Sequence, residues 1–461
     1  MLTRYSLGQF ALRRSLLVGA FLLAAVAPAG NSQPVNSSNP LLAATPPMGW
    51  NSWDCFGYTV REDEVKANAD YMAAHMKAFG WQYIVVDIEW YTPRVKTHGY
   101  IPDPNNIALD SFGRFVPAPN RFPSAANGNG FKPLADYVHR KGLKFGIHIM
   151  RGIPRKAVDD NLPIAGSSHR AADVADKTNV CKWTGMVDTY GVDMRKPGAQ
   201  DYYDSIAALY ASWGVDYVKA DDMSSPYQGA EIQALSTALR KSGRPIVLSL
   251  SPGPTPLEMA ADVGKWAQLW RISHDFWDDW KPLKGQFELT RAWAPFARPG
   301  AWPDADMLPL GRIGIRAEVG NDRRSNFTPD EQRTLMTLWA IFRSPLMMGG
   351  DLPSNDASTL ALLTNRDVLR VNQHSTGNRP VIVDPQKALW VAETESKDGY
   401  YMAVFNLGES PATYQYSWKD LGFSGPAYRV RDLWSHRDLG RAGVLKVTLP
   451  QHGAALFQAV P

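Results

Sequence analysis

The 461-residue chain is poor in cysteine, with only Cys55 and Cys181. That scarcity excludes a small disulfide-stapled scaffold, and a chain this long can bury enough core to fold without one. Cys55 and Cys181 could form one disulfide or stay two buried thiols, and the residues leave both open. No C-x-x-C pair occurs and the nine histidines show no zinc-binding spacing, so no metal and no cofactor is expected. A glycine-rich phosphate loop is also missing. Charge of one sign is lacking: 49 basic and 45 acidic residues leave +4, without the Lys and Arg clusters that bind nucleic acid. With 44% hydrophobic and 20% charged residues, the balance is that of a globular protein and excludes disorder as the main state.

No apolar run reaches the length of about 20 residues that spans a bilayer. The longest, 15–26 (SLLVGAFLLAAV), follows Arg4, Arg13 and Arg14 and precedes small-x-small sites at 25–27 and 27–29. This is the pattern of an export signal over residues 1–29, Sec or twin-arginine, with a polar linker over 30–45. The expectation is a secreted or periplasmic protein without a stable membrane anchor. Aromatic residues, in contrast, are plentiful: 16 Trp, 18 Tyr and 17 Phe. Their faces stack on the C–H faces of sugars, and they also fill cores.

From Pro47 a unit repeats, in which a short apolar strand and a loop lead to a helix closed by glycine. The strands are expected at 48–53, 83–86, 143–149, 217–219, 246–250, 269–272, 302–308 and 346–349. Helices over 63–79, 132–141, 202–213 and 231–242 end at Gly80, Gly142, Gly214 and Gly243, where a left-handed residue stops a helix. Thr328, Pro329 and Glu331 spell a capping box at the start of a further helix. Strands separated by single helices imply right-handed parallel crossovers, and eight such units fit an α/β TIM barrel over 46–373. An open doubly wound sheet is the weaker fit. After Gln373 the helices give way to short strands at 389–393, 400–406, 412–418, 428–434, 444–449 and 454–459, an antiparallel β-sandwich over 374–461.

Chemistry in a TIM barrel sits at the C-terminal ends of the strands. Those ends carry Trp53 and Asp54, Asp87 and Glu89, His148, Lys219 with Asp221 and Asp222, Ser251, Arg271 with Asp275, and Asp304 with Asp306. A single Asp after a strand is usually a helix cap, which suits Asp222, Asp278, Asp279 and Asp304. Carboxylates ending four strands are harder to explain structurally, because crowded like charges repel. Converging carboxylates among aromatics fit glycoside hydrolysis, which needs one carboxyl to donate a proton and one to stay ionised. Lys219 and Asp221 point to the same side of a strand, so the ammonium would keep Asp221 ionised.

The segments PPMGWNSWDCF (46–56), YIVVDIEW (83–90), GLKFGIH (142–148), WGVDYVKADD (213–222), WRISHD (270–275), WPDADML (302–308) and LWAIFRSPLMMGGDL (338–352) occur in this order. Together they resemble glycoside hydrolase family 27, the α-galactosidases and α-N-acetylgalactosaminidases. The resemblance implies Asp221 as nucleophile, from the family's K-x-D motif, and Asp275 as acid/base, from W-R-x-x-x-D. It implies sugar-binding roles for Trp53, Asp87, Lys219, Arg271 and Asp306, and Glu89, His148 and Ser251 are expected in the same binding shell. It also implies a retaining mechanism, with the two carboxyls about 5–5.5 Å apart.

The departures from the family are informative. The second acid of D-D-x-W is Ile88, with Glu89 next, so one hydroxyl-binding carboxylate is lost or moved. His148 replaces a tyrosine, and Ser251 stands where α-galactosidases often have Glu. Met223 replaces a cysteine, leaving Cys181 free or paired with Cys55. The expected function is exo-hydrolysis of terminal α-D-galactosyl residues. The same chemistry on β-L-arabinopyranosides, α-N-acetylgalactosaminides or α-glucans is the alternative, and a non-catalytic carbohydrate-binding protein is the alternative of another class. Oligomeric state is not readable from these residues.

Overall fold

A computed structural model describes residues 41–181, 183 and 188–461. The expected signal, 1–29, and most of the linker lie outside them. Each apolar run between glycine-closed helices forms a parallel strand. In chain order these are β1 (Met48–Asn51), β2 (Tyr83–Val86), β3 (Lys144–Met150), β4 (Tyr217–Asp221), β5 (Val247–Leu250), β6 (Leu269–Arg271), β7 (Trp302–Asp304) and β8 (Leu346–Met348). Their spatial order is β7-β6-β5-β4-β3-β2-β1-β8. A parallel bridge between Leu308 and Met348 joins the two ends, which closes the sheet into the expected barrel. The strand expected over 302–308 is broken at Asp306, whose φ is 86°.

Alternation along the strands sorts their side chains. Tyr83, Val85, Tyr217, Val247 and Leu269 pack together inside the barrel. Ile84, Val86, Val218, Leu248 and Trp270 join the outer core, beneath the helices. Residues two further along the inner face therefore arrive at the barrel mouth: Asp87 after Val85, Lys219 and Asp221 after Tyr217, and Arg271 after Leu269. The helix Ala199–Trp213 stops at Gly214, which takes φ 84° and returns its N–H to the carbonyls of Ala211 and Tyr210. The helix Pro329–Phe342 begins as expected: the Thr328 hydroxyl accepts from the Glu331 N–H, and the Glu331 carboxylate accepts from Thr328 N–H.

The C-terminal strands are β9 (Thr376–Val383), β10 (Lys387–Glu393), β11 (Tyr400–Asn406), β12 (Ala412–Ser417), β13 (Tyr428–Asp432), β14 (Asp438–Ala442), β15 (Val444–Leu449) and β16 (Ala454–Val460). Six form one antiparallel sheet, β9-β10-β11-β16-β13-β14, and β12 pairs with β15. Leu389, Val391, Met402, Trp418, Leu445 and Phe457 fill the space between the two sheets. The opposite face of the large sheet, with Trp390, Phe405 and Leu456, joins the barrel core. His452 is stacked on Trp280 at 3.7 Å and bonded to Glu331 at 2.7 Å, tying the sandwich to two barrel helices.

Cys55 and Cys181 are free thiols, so the disulfide alternative is corrected. Cys55 is packed in the core with its Sγ 3.6 Å from the Ser52 carbonyl, whereas Cys181 lies at the barrel mouth. Among the described residues, no helix is long and apolar enough to cross a membrane.

Candidate active site

A cavity of about 270 Å³ opens at the C-terminal ends of the barrel strands. Of the expected site residues, Trp53, Asp87, Lys219, Asp221, Arg271, Asp275 and Asp306 line it, together with Asp54 and Ile88. They come from the ends of five strands, β1, β2, β4, β6 and β7, which is how short strands converge on one small volume.

Asp87 anchors one side. Its Oδ2 accepts from Lys219 Nζ at 2.9 Å and from Asn51 Nδ2 at 2.7 Å, and its Oδ1 accepts from Ile88 N–H at 2.9 Å. Burial pushes the Asp87 pKa up, but the Lys219 ammonium and these donors outweigh it and hold the group at about 2. Asp87 is thus a fixed carboxylate. Asp221 is held ionised in a similar way. Burial raises its pKa, and the His148 hydrogen bond, the Lys219 charge and the Asp222 N–H bring it below the ordinary value. His148 Nε2 lies 3.0 Å from Asp221 Oδ2, and Asp222 N–H donates to Asp221 Oδ1 at 2.7 Å.

Across the cavity, buried Arg271 bridges two acids. Its Nη2 is 2.8 Å from Asp306 Oδ2 and 3.1 Å from Asp275 Oδ1. The Asp275 side chain is 65% exposed at the cavity mouth, whereas that of Asp306 is 8% exposed. Phe276 N–H also donates to Asp306 Oδ2 at 2.8 Å. One carboxyl is therefore solvent-facing while its neighbours are fixed inside. Trp53 meets Trp183 edge-on at 6.4 Å, and Tyr100 meets Trp183 at 5.2 Å, giving one wall aromatic faces.

Three expected binding residues stand behind the cavity surface. His148 is buried and reaches the site through Asp221, and Ser251 lies beneath it, ahead of cavity-lining Pro252. Glu89 is a correction: it does not line the cavity. The strand ends at Val86, and Glu89 takes φ 57°, so the alternation 83-85-87-89 does not continue. Its carboxyl instead sits among Arg121 and Asp188, and burial with the Asp188 charge pushes its pKa up to about 8. The acids read as structural have clear partners. Asp222 pairs with Arg151 at 2.7 Å, Asp278 with Arg323 at 2.5 Å, and Asp279 caps a helix through Lys281 N–H. Asp54 is a cavity acid to which the sequence alone assigns no role. Its environment depends on Gly349, almost 300 positions away, and no local pattern signals that. Among the described residues, no group of three or more His, Cys, Asp or Glu side chains is arranged to hold a metal ion.

A sequence profile described as alpha galactosidase A matches residues 45–159 and 164–374. A second, described as the alpha galactosidase C-terminal beta sandwich domain, matches 384–459. Alpha-galactosidase 2 of Arabidopsis thaliana is 31% identical over 405 residues, 86% of this chain and 84% of that protein. Among solved structures, a family-27 β-L-arabinopyranosidase from Geobacillus stearothermophilus is 50% identical with a TM-score of 0.87, covering 91% of this chain and 97% of that one. A variant of that protein was solved in complex with arabinose. The α-galactosidase I of Mortierella vinacea is 25% identical with a TM-score of 0.69, over 91% of this chain and 97% of that one.

Proposed function

The chain belongs to the alpha-galactosidase family of glycoside hydrolases, and from that premise we propose that it is a retaining exo-glycosidase preferring terminal β-L-arabinopyranosyl residues. Glycosidic-bond hydrolysis on a carbohydrate substrate is common to the family; the residue roles and the sugar are our reading.

Asp221, kept ionised by His148 and Lys219, attacks the anomeric carbon and forms a glycosyl ester. Asp275, at the open mouth, gives its proton to the departing glycosidic oxygen. It then takes a proton from the water that cleaves the ester, so the net stereochemistry is retained. Trp53 packs on the C–H face of the ring, and Asp87, Lys219, Arg271 and Asp306 bind hydroxyls. A cavity of about 270 Å³ lies just below the usual range of about 300–1,000 Å³ for ligand sites, as suits one terminal sugar.

Ile88 is the observation that carries the choice of sugar. It is 1% exposed, lines the cavity beside Asp87, and has its N–H committed to the Asp87 carboxylate. An aliphatic wall there offers no acceptor to the hydroxymethyl by which galactose differs from arabinopyranose. An unsatisfied buried hydroxyl costs about 1–3 kcal/mol, roughly a five- to 150-fold loss. A ring methylene loses nothing. α-D-Galactoside hydrolysis, the expectation from the family resemblance, is the second reading and is favoured by the relatives of that name.

Initial rates on p-nitrophenyl β-L-arabinopyranoside and α-D-galactopyranoside decide between them, with Asp221→Ala as control. We expect kcat/KM to favour the arabinoside about five- to 150-fold and Ile88→Asp to narrow that ratio. A ratio below one would establish the second reading. The N-terminal pattern supports export after removal of 1–29, with the linker at 30–45, the barrel at 46–373 and the sandwich at 374–461. N-terminal sequencing of the mature protein tests the leader, and an unprocessed Met1 would overturn it.

A further inference from the structure

Asp54 is a buried acid for which neither the fold nor the reaction has yet supplied a use. It follows Trp53 at the end of β1, is 3% exposed, and lines the cavity that also holds Asp87, Ile88, Lys219 and Asp306. Among the described residues, its Oδ2 has no hydrogen-bond partner. Orphaned carboxyl oxygens are costly inside a protein, and each one that persists calls for an explanation. The fold makes room for this one. A Cβ at Gly349, at the end of β8, would lie 1.8 Å from Asp54 Oδ2, so the carboxyl occupies space that only glycine leaves open. Its main-chain carbonyl accepts from Gly314 N–H at 2.7 Å, which fixes the backbone from which the side chain projects.

We propose that Asp54 is a further sugar-binding residue, hydrogen-bonding one ring hydroxyl of the substrate from the inner wall of the cavity. This rests on the glycosidase reading of the site and extends it. Among the described residues, the charged groups facing Asp54 are Asp306, Asp87 and Asp278 against one cation, Lys219. Lys219 is already committed to Asp87 at 2.9 Å. Burial first, and the neighbouring acids next, push the Asp54 pKa well above the usual carboxylate range. These surroundings favour the protonated form of Asp54. It donates its proton to a sugar oxygen, a role open to carboxylic acids kept neutral in apolar surroundings. Asp87 beside it is ionised and accepts. One neutral and one charged acid on adjacent strands read opposite ends of a hydroxyl's hydrogen-bonding capacity, which sharpens discrimination between epimers.

The test is a double-mutant cycle between protein and substrate. kcat/KM is measured for the p-nitrophenyl glycoside that the wild type hydrolyses best and for its 2-, 3- and 4-deoxy analogues, with wild type, Asp54→Leu and Asp54→Asn. Leu removes all hydrogen bonding, and Asn retains a donor of similar shape. We expect Asp54→Leu to lower kcat/KM on the parent glycoside about 10- to 100-fold, and Asp54→Asn to lose only about threefold. For one deoxy analogue alone, the wild type and Asp54→Leu should converge to within about threefold. Equal losses by Asp54→Leu on the parent and on every deoxy analogue would overturn the proposal. So would an Asn variant as impaired as Leu, since that would require the carboxylate charge. Should Asp54→Leu not fold, the cycle is run with Asp54→Ser, whose short hydroxyl cannot reach the ligand. Wild-type turnover separates the two ideas: a wild type inert on all the glycosides overturns the glycosidase reading, and this proposal with it.

Discussion

Glu89→Gln is expected to stabilise the fold, and to do so increasingly as pH rises. The Glu89 carboxyl is buried, with the residue 5% exposed, and burial with the Asp188 charge raises its pKa from 4.5 to about 8. A carboxyl with a raised folded pKa holds more protons folded than unfolded between those two values. Stability then falls as pH rises through that window, and below the window the group costs nothing. The slope is about 1.4 kcal/mol per pH unit, so the cost reaches about 2 kcal/mol near pH 6 and about 4 kcal/mol near pH 8. Glutamine has the same shape and never ionises. The strong backbone contact also survives, because Arg121 Nη1 donates to the Glu89 main-chain carbonyl at 2.7 Å, not to its carboxyl. Urea unfolding of both proteins between about pH 5 and pH 8 gives the difference in stability at each pH. It should be below about 1 kcal/mol at the acid end and widen steadily with pH. A constant difference, or one that shrinks toward high pH, would refute the assignment of that cost to the Glu89 carboxyl.

Three other outcomes follow from the same contacts. Lys219→Met strips the partner from buried Asp87 and should cost about 3–5 kcal/mol near neutral pH, with the deficit closing as acid protonates Asp87. Urea midpoints at neutral and low pH check it. His148→Phe removes the strongest opponent of burial at Asp221, so the acid limb of the kcat/KM profile should move to higher pH. An unmoved limb would assign that limb to another group. Denatured protein without reductant should react with two equivalents of a thiol reagent, because Cys55 and Cys181 are unbonded, whereas native protein should react slowly. Burial pushes the Cys181 thiol up to about 12 and raises that of Cys55 as well.

The barrel was legible because its strands are continuous apolar runs between helices with clear stop signals. The helix Pro329–Phe342 starts where Thr328 and Glu331 say it should. Strand β9 was not legible: it carries Gly377 and Pro380, pairs only with β10, and has register shifts on either side of Arg379 and Pro380. An edge strand can accept proline because its outer N–H groups have no partner to lose. Strand β14, DLGRA, is almost wholly exposed and has no apolar face to reveal it. In the site, residues on the strands proper could be placed by alternation, as with Lys219 and Asp221. Beyond a strand end that rule lapses. Glu89 fell on the far side of a left-handed turn, and the setting of Asp54 is made by a glycine on another strand.

In the proposed mechanism Asp221 is the residue that bonds to the sugar. The most direct test is to inactivate the enzyme with a 2-deoxy-2-fluoro glycoside, digest it, and locate the added mass by tandem mass spectrometry. One glycosyl residue should be found esterified to the peptide that carries Asp221, and none in Asp221→Ala. Label on Asp87, Asp275 or Asp306, or turnover that inverts the anomeric centre without any covalent adduct, would contradict it.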